Sequence, residues 1–375
     1  MSVELNRKHP DVHQPWAEWS EEQTLHLVLV YSNPLRWQTR RRLANDAIRH
    51  FLNCPNVRLY VVELAFDQRP FELTSDIHAH PNLVCLQVRT DCVLFHKESL
   101  INYAVRHFPS EWQYGGYWDA DFTTPRHDWA LEAIHMLQHH QFVQLFSSYT
   151  DITGTSATSF DGNRPYRMTS SFAWNYLHQR EFKEFWEDRI KNRRKGQGDD
   201  YGVAAIKGEK FPYGLPPGAT GGGWAWRRQA FNTVGGLLDM PPLGSADWHM
   251  AFGLAELTNV AAEMKRCTQP YVAVILQWQA RAAKLKLHPG KSAIGCIDHH
   301  VIHHFHGSKS KRQYGERWYI LRNHSFDPNT DLTRDWQGLW RWSGNKPELR
   351  DEVIRYMETR NEDLNMLLGT EREMV

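Results

Sequence analysis

The chain has 375 residues, 44 of them Lys or Arg and 43 Asp or Glu; with charges so nearly balanced, only a local basic patch can speak for or against a nucleic-acid partner. A hydrophobic content of 41% and a charged content of 23% exclude a disordered chain and supply a core for one large domain or two modest ones. No apolar run approaches the ~20 residues of a membrane span, the first sixteen residues lack the apolar stretch of a secretory signal, and five scattered cysteines without a C-x-x-C pair (Cys54, Cys85, Cys92, Cys267, Cys296) read as reduced thiols of a cytoplasmic protein.

Residues 1–23 form a polar N-terminal extension. Leu25–Tyr31 is short, apolar and rich in branched residues, the pattern of a buried strand, and Ser32-Asn33-Pro34 stops it. A helix is expected over 37–53, where Leu43, Ala47, Ile48 and Phe51 share one face. Strands follow at Val57–Leu64 and Leu83–Val88, then a helix at 97–107. A strand over 113–118 then runs into Asp119-Ala120-Asp121. This alternation predicts an α/β fold with a mostly parallel sheet, whose ligands bind beyond the carboxyl ends of the strands.

Further on, the pattern predicts a helix over 127–140, a strand at Phe142–Phe146, a polar loop across 150–168 and a helix over 172–192. Lys191–Asp200 reads as a charged turn and 211–223 as a Pro- and Gly-rich loop. Helices are expected at 226–234 and 247–262, and a strand at Tyr271–Trp278. A C-terminal extension, 326–375, carries a tryptophan-rich segment and a helix at 347–363. The main domain is then 24–325, in two parts, 24–125 and 126–325.

Four constellations carry chemistry, and each has a structural alternative. Asp119 and Asp121, one residue apart at a strand end, either approach one hard cation or cap the following turn. The glycines of Gly221–Gly236 either let backbone approach a ligand or serve helix packing, with Gly235-Gly236 as a helix stop. Asp247 stands at a helix start, as an N-cap or as a general base. The run His299–His306 is either a polar strand or a source of metal-ligating imidazoles. If it stays extended, His304 and His306 share one face and His303 points to the other. The 16 Trp, 14 Tyr and 17 Phe either fill the core or stack on sugar or base faces. The basic clusters Arg40–Arg42, Lys191–Lys195 and Lys309–Arg312 are either solvated surface or phosphate contacts.

In their order along the chain these elements resemble GT-A glycosyltransferases. Within that class the chain is similar to family-2-like enzymes encoded by tailed bacteriophages, on the residues Phe95–Asn102, Trp118–Phe122, Gly244–Ala251 and His306–Tyr314. The resemblance spans residues 24–322. It implies a GT-A fold, a divalent cation (Mn2+ or Mg2+) held by Asp119, Asp121 and His306, and Asp247 as the base of an inverting transfer. It implies a UDP-sugar donor near Tyr31, Ser32, Asn33, Lys97, Asn102, Asp119, Gly222 and Gly223, with Lys309 and Arg312 on the diphosphate. Trp224, Trp248 and His249 are then expected on the acceptor side. The acceptor implied is 5-hydroxymethylcytosine in duplex phage DNA, whose base would be flipped to be reached. A bacterial surface glycan is the alternative, as is a non-catalytic nucleotide-sugar-binding protein. One departure stands out: many GT-A enzymes carry Glu-Asp where this chain has Ala246-Asp247, so the base rests on a single carboxylate.

Overall fold

Strands β1 (Leu25–Ser32) and β2 (Val57–Phe66) are apolar at nearly every position because both of their faces are covered. The structure, a computed structural model, describes residues 20, 23–73, 80–152, 165–178, 218–285, 292–307 and 310–363. Side chains alternate across the sheet. Leu25, Leu27 and Leu29 of β1 and Leu59 and Val61 of β2 pack with Ala44, Ala47, Ile48 and Phe51 of α1 (Gln38–Leu52). Val28 of β1 and Tyr60, Val62 and Leu64 of β2 face the other way. There they meet Leu100, Ile101 and Ala104 of α2 (Lys97–Val105), which follows β3 (Leu83–Thr90).

The chain continues through β4 (Tyr114–Trp118), β5 (Phe122–Thr123), α3 (Trp129–Leu137), β6 (Phe142–Gln144), β7 (Ser148–Ile152), β8 (Pro165–Ser170) and α4 (Phe172–His178). After β9 (Gly223–Arg227) come α5 (Arg228–Val234), α6 (Ala246–Leu254), α7 (Thr258–Lys265) and α8 (Gln269–Ala282). The last part holds β10 (Ile294–Cys296), β11 (His300–His303), α9 (Trp318–Asn323), α10 (Pro328–Asp331), β12 (Leu332–Arg334), β13 (Trp340–Trp342) and α11 (Pro347–Thr359). A seven-stranded sheet has the order β10-β6-β9-β4-β1-β2-β3. It is parallel except at β9, which runs antiparallel to both β4 and β6. A smaller sheet, β5-β11-β7-β8, stands beside it, and β12 pairs with β13.

The structure corrects several expectations. Tyr271–Trp278 is not a strand but the middle of α8: Tyr271, Ile275, Trp278 and Ala282 are buried at helical spacing, and Pro270 opens the first turn. The apolar run was too short for its period to tell the two apart. The helix expected over 226–234 begins two residues later, because Gly223–Arg227 is taken as a strand into the central sheet. The loop expected over 150–168 instead supplies parts of β7 and β8. The helix expected over 247–262 breaks between α6 and α7, where Glu256 takes a φ of 61°. Of the helix expected over 172–192, α4 accounts for 172–178; the remainder, Lys191–Asp200 and residues 211–217 lie outside the described residues.

The C-terminal segment is built into the same body. Leu349, Val353, Tyr356 and Met357 of α11 join the core that α2 enters. Just beyond α11, Asp363 accepts hydrogen bonds from the backbone N–H groups of Gln38 (2.8 Å) and Thr39 (2.9 Å), capping α1 from the far end of the chain. Trp118, Trp129, Trp226 and Trp278 are fully buried, so many of the rings belong to the core, although Trp336 is 92% exposed. Among the described residues no helix is long and apolar enough to cross a membrane.

Candidate functional site

The site forms where β4 and β9 part. Trp118 pairs with Gly223, and just past that pair the Asp119 N–H donates to the Gly222 carbonyl (2.6 Å). The Gly222 N–H in turn donates to Asp119 Oδ2 (3.1 Å). Two features explain the glycines. Gly222 has a φ of +92°, and a Cβ there would sit 2.6 Å from the buried Phe146 ring. A Cβ on Gly221 would lie 2.5 Å from Asp247 Oδ2 and 3.6 Å from Asp119 Oδ2, so Gly221 is the spacer between two carboxylates. Below them Trp118, Phe122 and Phe146 stack with centroids 5.7–5.9 Å apart, a rigid floor under the Asp119–Asp121 turn. On the other side, Lys97 at the start of α2 donates to Asp119 Oδ1 (3.0 Å).

The smaller sheet builds the second part. In its ladder His303 lies opposite Phe122 on β5 and Asp151 on β7. His303 Nδ1 is 2.5 Å from Asp151 Oδ1, which turns Nε2 toward Asp121 Oδ2 (3.7 Å) and His306 Nε2 (3.2 Å). His306 Nε2 in turn stands 2.7 Å from Asp121 Oδ2 and 2.7 Å from an Arg312 amino group. One imidazole nitrogen cannot both accept from Arg312 and donate to Asp121. Asp121 Oδ1 is buried and has no hydrogen-bond partner among the described residues. Asp121, His303 and His306 offer ligand atoms within 4.8 Å of one another. A carboxylate with two imidazoles, one oriented by a second carboxylate, suits a divalent transition ion such as Mn2+ better than an all-oxygen Mg2+ shell.

Burial and neighbouring charges shift the three groups of this cluster in different directions. Burial works against a protonated His303, but the Asp121 and Asp151 carboxylates overcome it and raise the group to about 9. Burial and the Arg312 guanidinium push His306 down to about 4. Burial raises Asp121 too, yet the two imidazoles outweigh it and hold the carboxyl well below its usual range.

Asp247 is the second residue of α6. Ser245, at the cap position, has a φ of 69° and makes no side-chain cap hydrogen bond. The Asp247 carboxylate instead turns toward the glycine segment, accepting from Thr220 Oγ1 at 3.4 Å. Beside it are Trp248, Lys265 and Arg317. Lys265 Nζ lies 4.7 Å from the Trp248 ring centroid. Burial and Arg317 lower Lys265 to about 7, against the pull of Asp247.

One cavity of about 650 Å³ joins these parts. Among the expected residues Ser32, Lys97, Asp119, Asp121, Gly222, Asp247, Trp248, His306 and Arg312 line it. Others do not, and their contacts show why. Tyr31 bonds Glu72, and Asn33 bonds Tyr31 and the Trp37 carbonyl, so both brace the loop after β1. Asn102 is engaged with Leu237 and Asp239. Gly223 is inside β9, and the Trp224 indole donates to the Thr220 carbonyl. His249 packs between Tyr271 and Trp318, and burial lowers it to about 3. Lys309 lies outside the described residues. Of the three residues expected around a cation, the structure brings Asp121 and His306 together and turns Asp119 to Lys97 and Gly222.

Sequence reasoning missed His303 and Asp151. The strand stops at His303, so the alternation assumed through His306 fails. His304 leaves the cluster, bonding Thr123 Oγ1 (2.8 Å) and the Asp121 carbonyl (2.8 Å). It also missed the C-terminal wall, where buried Glu362 pairs with Arg40 and Arg360.

The fold and site thus define an α/β protein with a carboxylate–imidazole cluster at the carboxyl end of a mostly parallel sheet. No protein-family model and no curated protein matches the chain. Among solved structures it is similar to the mannosyltransferase PcManGT from Pyrobaculum calidifontis, in complex with GDP-Man and Mn2+. The identity is 14%, over 70% of this chain and 76% of that one, with a TM-score of 0.31. A likeness so low carries no weight here.

Proposed function

We propose that the protein is a GT-A-type glycosyltransferase that moves a sugar from a UDP-sugar to a hydroxyl acceptor in the presence of a divalent cation. The observation that carries this reading is one cavity with two differently equipped walls. Asp121, His303, His306 and Arg312 line it on one side; Asp247 lines it on another, with Gly221 between Asp247 and Asp119.

Asp121, His303 and His306 would hold the cation, which when bound neutralises the charge of a diphosphate leaving group. Asp151 fixes the His303 tautomer. Arg312 meets the phosphate oxygens with a planar fork. Lys97 and Asp119 line the donor side as a paired charge. Asp247 takes the proton of the acceptor hydroxyl as the new bond forms, and Trp248 walls the acceptor pocket. With one carboxylate facing the acceptor, the transfer is a direct displacement with inversion. The acceptor proposed is 5-hydroxymethylcytosine in duplex DNA, after the phage enzymes that the motifs resemble.

The test has two stages. A panel of UDP-sugars is first incubated with protein and Mn2+ but no acceptor. Slow release of UDP that stops in EDTA supports the transferase; tight binding without turnover identifies a non-catalytic binder. Hydroxymethylated DNA is then added, and digested nucleosides are weighed by mass spectrometry. A hexose or pentose mass on hydroxymethylcytosine supports the DNA acceptor. No product with any donor, alongside transfer to a bacterial glycan, refutes it.

A further inference from the structure

The cations that line the cavity are not equally matched. Arg40 and Arg360 pair with Glu362, Lys97 pairs with Asp119, and Arg312 faces His306 beside the cation cluster. Arg317 is only 4% exposed and forms no ion pair with a carboxylate among the described residues; Arg312 forms none either, but it is turned to His306 and the Tyr314 hydroxyl. One amino group donates to the Tyr356 hydroxyl (3.0 Å), the other to Ser245 Oγ, and its Nε is buried without a partner. Lys265, 5% exposed, stands near it, with Nζ 3.4 Å from the Tyr314 carbonyl and 5.7 Å from the Trp318 ring. Both line the cavity on the side of Asp247 and Trp248.

Lys265 and Arg317 repel each other, Asp247 pulling against this on Lys265, and among the described residues Arg317 forms no ion pair that would offset the loss of water. Such an arrangement is stable when a ligand brings the anion. Tyr314 divides this pair from Arg312: Arg312 donates to its hydroxyl (2.9 Å), while the Arg317 guanidinium lies over its ring at 5.1 Å. The pair therefore belongs to a different part of the cavity from the cation cluster.

We propose that Arg317 and Lys265 form a phosphate subsite next to Asp247, so that the acceptor carries its nucleophilic hydroxyl beside a phosphate ester. The guanidinium fork and the lysine point charge are complementary to such a group. This subsite rests on the glycosyltransferase reading for its role, but its existence can be tested without it.

Sulfate serves as the probe, titrated calorimetrically into protein already saturated with UDP and Mn2+. Binding at one site, weakened about ten-fold or more by Lys265→Met and by Arg317→Lys, is the expected result. Thermal unfolding of both variants shows that they fold; Arg317→Lys keeps the charge and loses only the fork. Sulfate that UDP excludes would assign the two cations to the donor diphosphate and overturn the proposal. So would sulfate that binds both variants as well as wild type. If UDP does not bind at all while sulfate still depends on Lys265, the donor reading fails and the subsite stands. In a second arm, 5-hydroxymethyl-deoxycytidine monophosphate is compared with its nucleoside, and glucose 6-phosphate with glucose. A phosphate preference of about ten-fold in kcat/KM, lost in Arg317→Lys, supports the subsite and shows which acceptor class uses it. Equal rates with and without phosphate refute it; if neither pair reacts, the sulfate result decides.

Discussion

Replacing Gly221 by alanine should separate function from stability more sharply than any other change at this site. The new methyl would stand 2.5 Å from Asp247 Oδ2, so that carboxylate must retreat by roughly 1 Å to reach ordinary contact. Asp119 Oδ2, at 3.6 Å, is already in ordinary contact and can stay. The backbone of Gly221 is not left-handed, and the atom displaced is the end of a side chain. The folded state should therefore change by no more than about 1 kcal/mol, with the smaller unfolded-state entropy of alanine partly offsetting the push. A misplacement of a catalytic group by about 1 Å can lower kcat roughly 10²-fold. Steady-state transfer, calorimetric UDP·Mn2+ binding and thermal unfolding measure the three quantities separately. Gly222→Ala is the contrast. Its φ is +92° and its methyl would meet the buried Phe146 ring at 2.6 Å, so it should cost about 1–3 kcal/mol of stability. Wild-type kcat in Gly221→Ala, or a melting loss equal to that of Gly222→Ala, would refute the spacer role.

Asp247→Asn keeps size but not basicity; kcat should fall roughly 10²–10⁴-fold while UDP·Mn2+ affinity by calorimetry holds near wild type, and a mild loss would return Asp247 to a packing role. Asp151→Asn should weaken Mn2+ binding about 10–100-fold in a paramagnetic titration, because the carboxylate that orients His303 is lost. Activity should vanish in EDTA and return with Mn2+; if Asp119→Asn releases Mn2+ as readily as Asp121→Asn, the ligand set named above is wrong. Burial raises the Glu362 carboxyl, but Arg40 and Arg360 more than offset this and hold it at about 2, below its unfolded value. Its contribution, roughly 3 kcal/mol, is thus fully present above the ordinary carboxylate pKa and is lost as pH falls from about 4.3 toward 2. Unfolding free energies at several acid pH values should fall less steeply in Glu362→Gln; parallel curves would contradict the pairing.

Much of the frame was legible in the sequence because its cause is local. Periodicity places β1, α1, β2 and α2, since each reports burial by residues a few positions apart. The position of Asp119 and Asp121 past a strand end, and of Asp247 at a helix start, follows from the same short-range pattern. The resemblance added an expected role for each, and the structure brings Asp121, His306 and Asp247 to one cavity.

What only the tertiary structure decided depends on pairings between distant parts of the chain. Strand β9 enters the sheet between β4 and β6, a choice made by register with residues about a hundred positions away. Asp151 reaches His303 across a ladder of 152 residues' separation, and that ladder also ends the strand where His303 must turn inward. Asp363 caps α1 from 325 residues away, which no helix-start signal near Gln38 announces. Nothing in the sequence singles out Arg317 among 44 basic residues, yet folding buries it beside Lys265, and among the described residues it forms no ion pair with a carboxylate. Local sequence sets which elements form; convergence of ligands and charges is a property of how those elements meet.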